Sequence, residues 1–576
     1  MIEQEAVADT EDTKASSWWA VDDFPVRKAS RAAFLIDGRM TMLEMCHRFL
    51  SARHTIHIAA WGLSPELLLV RGKHHRAGPD GSPEQEALLA WLRAKGLAEE
   101  DLRFWQQCEE PSVRNVLGYV VSKGIEVRVL LWNTYSLPFQ PNPKQVQETL
   151  DTVGVRCLLD DSHMGLLNHP LLAHHQKTVI VDNTFAFVGG IDMMVDNSGD
   201  YDRWDSKGHP FHHPLRLGKD GKMPHSWHDV HILFEGPAVV DVEQNFRQRW
   251  NAVVNLHEMD ALLLLSDVAD DTPADEIAGT LQVQVTRTIP SRTYAFAPEE
   301  GIATILETYR NAFALAKRSI YIENQYFWRR TFLGIESPIM GLPHADMEQL
   351  WQSLADALKR GVVVTLLLPD NPNVGREFTD DGIQYLWSIA PQAVASGTLQ
   401  VYTLGSSCQK ESQMLYRPIY VHAKVAIVDD QWMTVGSANL NNRGMRDDTE
   451  MDVAVVHAKL AQGLRILLMA EHLGLCDEDA LFRIIEVMGR VQLADERDQV
   501  SEEIGSLWAR LQALLSDPFS GMALFAKQAR ENLLAVKAGQ PLVGHLLPYI
   551  SHEWAREYEV TVHSVNGWLA GLPNNA

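Results

Sequence analysis

Two short stretches of the chain carry the same three residue types at the same spacing. His175, Lys177 and Asp182 fit the pattern His-x-Lys-x-x-x-x-Asp, and so do His422, Lys424 and Asp429. Chance supplies one such match in roughly 0.05 chains of this size, so a pair is hard to attribute to accident. An imidazole attacks, donates or accepts a proton near neutral pH, and an ammonium group neutralises an anion. Two of each, brought together, could hold a single anion between two imidazoles. On an extended chain, residues two apart share a face, so each His projects with its Lys while Gln176 or Ala423 turns away. The apolar runs TVIV and VAIV then carry a strand into the core and leave Asp182 and Asp429 beyond it, where a structural ion pair is expected. The bland alternative is a pair of buried histidines with salt-bridged lysines. It must explain the coincidence twice, and lysines in core strands are costly without a functional partner.

The elements that must position these residues are also spelled out twice, in the same order. IHIAAW (56–61) and IYIENQYF (320–327) read as buried strands rich in β-formers. Val113–Lys123 and Met347–Arg360 read as helices, each followed by a glycine, Gly124 or Gly361, that stops the helix and opens a strand. HHQKTVIVDNTFAFVGG from His174 then matches VHAKVAIVDDQWMTVGS from Val421 without a gap, at an offset of 421 − 174 = 247.

This alternation predicts an α/β fold of two pseudo-equivalent layered halves, each a central mixed β-sheet flanked by helices, with the active site at their interface. We place a polar N-terminal segment at 1–29 and the first half, with the His175 motif, at 30–255. A linker follows at 256–284, around Asp267–Asp275, then the second half, with the His422 motif, at 285–460 and a helical C-terminal extension at 461–576. Ser82, Pro83, Gln85 and Gly96 carry the start and stop signals of a helical insertion. Gln499–Leu515 and Met522–Lys537 have apolar residues at helical spacing and read as packing helices rather than a membrane-binding face.

Composition narrows the function classes. A balance of 51 Lys and Arg against 75 Asp and Glu gives a formal charge of -24. That disfavours long-range attraction to nucleic acid or an anionic membrane, and no nucleic-acid partner is expected. Five scattered cysteines form no CxxC pair, so neither a zinc cluster nor a disulfide framework is indicated. His209, His212, His213, His225, His228 and His231 match no standard metal spacing, and a structural role is expected for His228 and Asp229. We expect no metal and no cofactor, since lysines supply the electrostatics. No run of about 18 apolar residues is present, so no bilayer span is predicted. The acidic start MIEQEAVADTEDTK lacks the character of a signal peptide, which leads us to expect a cytoplasmic protein.

The paired motifs resemble those of the phospholipase D superfamily, and the surrounding segments resemble its eukaryotic-type phospholipases. WHDVHILFEGPAV (227–239), NFRQRW (245–250), IYIENQYF, IYVHAKVAIVDD, GSANLNNRGMRDDTE (436–450) and AEHLG (470–474) follow in the same order, over roughly 30–475. The resemblance implies a phosphohistidine mechanism in which one imidazole attacks phosphorus while the other protonates the departing alcohol. Family usage makes His175 the nucleophile and His422 the acid. Lys177 and Lys424 would clamp the non-bridging oxygens, with Asn439 as a neutral donor and Ser437 beside it in the phosphate-binding set. Asp182 and Asp429 complete the motifs.

In the first half Asp192 stands where the second has Asn439. An ionised Asp192 would repel phosphate, so it is expected to face a lysine or the protein. Each histidine needs a carboxylate to fix its tautomer. Glu450 matches the family position in the second half; in the first, Asp205 is the candidate, with Asp202 competing. Trp61, Tyr326, Phe327 and Trp204 lie near the motifs and would suit a choline head group, against ordinary core packing as the alternative.

The expected function is that of a phospholipase D. It would hydrolyse a glycerophospholipid at a membrane surface to phosphatidic acid and free head group, with transfer to other alcohols open. A cardiolipin-synthase-like phosphatidyltransferase and a nuclease using the same chemistry are the alternative enzymes, and a non-catalytic lipid-binding protein is the alternative of another class. With about 30 residues ahead of the first half, lipid targeting is unexplained, and non-classical export as a bacterial effector is a further expectation.

Overall fold

The computed structural model describes residues 17–70, 83–94, 96–134, 141–164, 172–194, 226–268, 280–334, 339–476, 480, 484 and 501–572. Asp202, Trp204, Asp205 and the histidines 209–225 lie outside the described residues.

The first half contributes β1 (Arg27–Ile36), β2 (Thr55–Ala60), β3 (Glu126–Trp132), β4 (Arg156–Asp160), β5 (Thr178–Val181), β6 (Phe185–Gly189), β7 (Ser226–His228) and β8 (Val230–Glu235). The rest of the chain adds β9 (Leu281–Ile289), β10 (Ile302–Ala303), β11 (Ser319–Asn324), β12 (Val363–Leu367), β13 (Leu399–Lys410), β14 (Gln413–Val421), β15 (Lys424–Val428), β16 (Trp432–Gly436), β17 (Glu450–Val456) and β18 (Leu546–Pro548). The sheet order of the first half is β1-β8-β6-β5-β2-β3-β4. The second half repeats it as β9-β17-β16-β15-β11-β12-β13. In both sheets the first five strands run antiparallel to their neighbours and the last three are mutually parallel, as helical crossovers demand.

Strand pairing and core packing join the halves. β1 and β9 pair across a register break, Arg27 with Val283 and Ser30 with Leu281. β6 and β8 also pack face to face on β16 and β17, so one apolar core runs through both sheets, with Phe187, Val188, Ile232, Val435 and Val453 fully buried within it. Strands buried on both faces read as continuous Val/Ile/Leu runs, which is why TVIV and VAIV have no alternation.

The predicted helices appear as Val113–Ser122 and Ala345–Lys359, ended by Gly124 and Gly361 at φ of 87° and 86°. The insertion helix spans Pro83–Ala94. Helices Glu502–Leu515 and Pro518–Lys537 follow the second half and pack on the buried helix Ala458–His472 and on β18. The C-terminal region then returns to the sheet: β18 pairs antiparallel with β13, Tyr402 opposite Pro548. Three residues carry too little periodicity to announce a strand in advance.

Candidate active site

Neither motif histidine sits on its strand. β5 opens at Thr178 and β15 at Lys424, so His175 and His422 occupy the extended segments just before them. Each backbone is pinned to the opposite half: His175 N–H donates to the Thr449 carbonyl and His422 N–H to the His228 carbonyl, both at 2.8 Å. Ladder pairing reinforces this, with β7 parallel to the end of β14 and His174 bridged in parallel to Thr449.

That pinning decides which carboxylate serves which imidazole. His175 Nδ1 lies 2.9 and 3.0 Å from the two oxygens of Glu450, and His422 Nδ1 lies 2.7 Å from Asp229 Oδ2. The carboxylate partners therefore cross between halves. Asp229, for which a structural role was expected, holds the His422 imidazole. β6–β8 pairs Gly189 with His231 and β16–β17 pairs Gly436 with Asp452, so Asp229 occupies in the first half the place of Glu450 in the second. Both Nδ1 atoms thus have their carboxylates without Asp205. The equivalence was open to sequence reasoning through the repeat, but 195–225 separates Asp229 from the GG turn and hides it.

Both lysines are buried, Lys177 at 3 % exposure and Lys424 at 0 %. Lys177 Nζ donates to the His175 carbonyl and lies 3.4 Å from Asp192, the lysine contact expected for that carboxylate. Lys424 Nζ donates to the carbonyl of His422 and, at 3.0 Å, to Gln325 Oε1. Gln325 also accepts from Asn439 Nδ2 at 3.2 Å. Gln325 was not singled out in the sequence, although it lies in the repeated segment IYIENQYF. Ser437 does not face outward as a phosphate ligand: its hydroxyl donates to Glu450 Oε2 at 2.5 Å. That bond favours the ionised carboxylate.

Burial governs the protonation states. It pushes the His175 imidazole well below its ordinary value, helped by the charges of Lys177, Lys424 and Arg443, so the ring is neutral. It pushes Glu450 up, with Asp448 adding repulsion. It lowers Lys424 to about 7 against the pull of Asp229, and raises Asp229 to about 7 against the pull of Lys424. When Glu450 is ionised it accepts from His175 Nδ1, which leaves the Nε2 lone pair free of a proton.

Behind the second imidazole lies a fully buried network. His228 contacts Asp37 at 3.0 Å and Glu323 at 2.8 Å, Glu323 is 2.8 Å from His472, and Asp37 Oδ1 accepts the Asp229 N–H. Behind the first, Asp160 takes Arg249 and Tyr294 and lies 3.2 Å from His174. These networks fix the segments on which the site is built.

His175 and His422 line one cavity of about 360 Å³, together with Asp192, Gln325, Asn439 and Arg443. Its apolar wall is Trp61, Trp132, Trp227, Tyr326, Trp328 and Phe332. Phe327 instead packs on Trp351 in the core, 4.4 Å between centroids and tilted by 43°. Asp182 and Asp429 lie at the far ends of their strands, and the expected ion pairs are replaced by backbone contacts. Asp182 accepts from the amides of Arg53, His54 and Thr55, and Asp429 from those of Lys317, Arg318 and Ser319, all at 2.7–2.9 Å. A turn ahead of a strand offers amides that no ladder satisfies, and a carboxylate answers three at once.

A family model described as "Phospholipase D" matches residues 106–334, and one described as "Cardiolipin synthase, PLD-like domain" matches residues 309–467. Phospholipase D alpha 1 of Carica papaya is 27 % identical over 538 residues, covering 75 % of this chain and 63 % of that protein. Phospholipase D1 of Saccharomyces cerevisiae is 25 % identical over 544 residues, covering 79 % and 29 %. The chain belongs to the phospholipase D superfamily. Its wording is that of the eukaryotic type, and it spans less than two thirds of the length of these phospholipase D relatives. Among solved structures, the phosphatidylserine synthase of Haemophilus influenzae Rd KW20 aligns over 87 % of this chain and 97 % of its own at 11 % identity, with a TM-score of 0.44. Among the described residues of this phospholipase D superfamily member, no helix is long and apolar enough to cross a membrane.

Proposed function

We propose that the protein is a phospholipase D that cleaves the head-group phosphodiester of glycerophospholipids to phosphatidic acid through a phosphohistidine on His175. The observation that carries this reading is the pair of imidazoles on one cavity, each held at Nδ1 by a buried carboxylate of the opposite half, with two buried lysines beside them. The His175 Nε2 lone pair attacks phosphorus while His422 gives its proton to the departing alcohol oxygen, and the P–O bond breaks as the P–N bond forms. His422 then takes a proton from water, whose oxygen attacks phosphorus and expels His175. An alcohol in place of water gives transphosphatidylation. Lys177, Lys424 and Asn439 would stabilise the charge on the non-bridging oxygens. The neutral state of His175 supports its assignment as nucleophile. The aromatic wall favours an alkylammonium head group.

The test is incubation with defined phospholipids in the presence of ethanol, with DNA as control. Phosphatidic acid, phosphatidylethanol and free head group are expected, and cleavage of DNA alone would refute the reading. His175→Ala and His422→Ala are each expected to abolish head-group release. A substrate with a good leaving group, such as a p-nitrophenyl phosphodiester, needs no acid for the first step, so His422→Ala should then accumulate a phosphorylated His175 detectable by mass.

A further inference from the structure

The wall of the cavity continues outward into an exposed apolar tip. Tyr326 packs on Trp328 and Trp328 on Phe332, with centroids 4.2 and 4.9 Å apart, all three lining the cavity. Val374, also on the lining, is 45 % exposed. Beyond Phe332, Ile339, Met340 and Leu342 are 62 %, 49 % and 42 % exposed, a run of three large apolar side chains in four residues left in water.

The tip is held in place. Thr331 N–H donates to Leu342 O and Gly341 N–H to Thr331 O, both at 2.8 Å; Arg330 Nη1 donates to Gly341 O at 3.3 Å; and Phe332 N–H donates to Asn442 Oδ1 at 2.8 Å. Asn442 stands between Asn441 and Arg443 of the cavity lining, so this bond ties the tip to the cavity wall. An apolar surface presented this firmly marks an interaction site.

We infer that Ile339, Met340, Leu342 and Val374 form an insertion edge that seats the cavity mouth in a lipid bilayer. This rests on the reading of the cavity as a lipid phosphodiesterase site. The phosphodiester of a membrane lipid lies at head-group depth with its acyl chains in the hydrocarbon, so a recessed site reaches it only when its rim enters the interface. Apolar side chains enter that region readily, and their seating is indifferent to lipid charge. That matters for a chain of net charge -24, which anionic lipid would repel.

The test uses the full chain, uncharged phosphatidylcholine vesicles and monomeric dibutyroyl phosphatidylcholine. The double variant Ile339→Asp/Met340→Asp is expected to lose at least tenfold in vesicle co-sedimentation and in vesicle turnover, while turnover of the monomeric lipid stays within twofold. Leu534→Asp, an equally exposed apolar residue on the C-terminal helix Pro518–Lys537, is expected to change neither. In Met340→Trp, the emission added by the new indole should shift to the blue and be quenched by brominated lipid when vesicles are added. Wild-type binding retained by the double variant, or no change in that added emission, overturns the inference. Vesicle binding that depends on Ile339 and Met340 in a protein that cleaves neither lipid would uphold the edge and refute the phosphodiesterase reading instead.

Discussion

On the proposed mechanism the chemistry turns on Asp229 and Glu450, because each holds Nδ1 of an imidazole from the opposite half. Asp229→Asn keeps the shape and removes the charge, and kcat should fall by about 10²- to 10⁴-fold with little change in KM, measured as head-group release. The pH profile follows from the buried groups. Glu450 and Asp229 must be ionised to accept from His175 and His422 Nδ1, and burial raises both, Asp229 to about 7, so kcat/KM climbs as pH rises through those values. In the proposed mechanism Lys424 is charged when it holds phosphate, and burial lowers it to about 7, so kcat/KM should fall again as pH rises through about 7. Lys424→Arg keeps its charge at any such pH and should remove the alkaline limb. Ser437→Ala deletes a hydrogen bond that favours the carboxylate, and the acid limb should move upward.

Among the elements, the strands after the histidines have a task at each end. β5 and β15 start at the cavity and finish at Asp182 and Asp429, whose side chains gather the amides leading into β2 and β11. The third motif residue thus anchors the neighbouring strand, and through it the segment that continues to Trp61 or Gln325. Charge-assisted bonds to three amides make Asp182→Ala cost about 2–4 kcal/mol, read by urea unfolding. Asp182→Asn, which retains an acceptor, should cost less. The folded fraction of either variant should turn over substrate at a near wild-type rate, which separates an anchoring role from a chemical one.

For the whole molecule, two sheets of equal strand order are fused so that neither completes a site. Residues 1–268 carry His175 but not Glu450, and expose the faces of β6 and β8 that the second sheet covers. Expressed alone, that half should be inactive and prone to association. Co-expression with residues 269–576 should restore head-group release, since the shared core and the β1–β9 pairing re-form the joint. Activity from the first half alone would show that His175 works without its carboxylate from the second.

Much of this was legible in the chain alone. Spacing of two within an extended segment, apolar runs of four, and glycines at helix ends are local patterns, and local sterics and burial translate them directly into elements. Repetition then fixed the order of both halves and marked His175, Lys177, His422 and Lys424. What the sequence could not disclose is every choice made across the seam. His175 finds Glu450 at a separation of 275 residues and His422 finds Asp229 at 193, and the pairings depend on how two sheets face each other rather than on any periodicity. Ser437 turned to the carboxylate instead of phosphate, and Asp182 and Asp429 to backbone amides instead of cations. In each case the partner was set by which unsatisfied group the packed structure brought within reach, and only folding decides that.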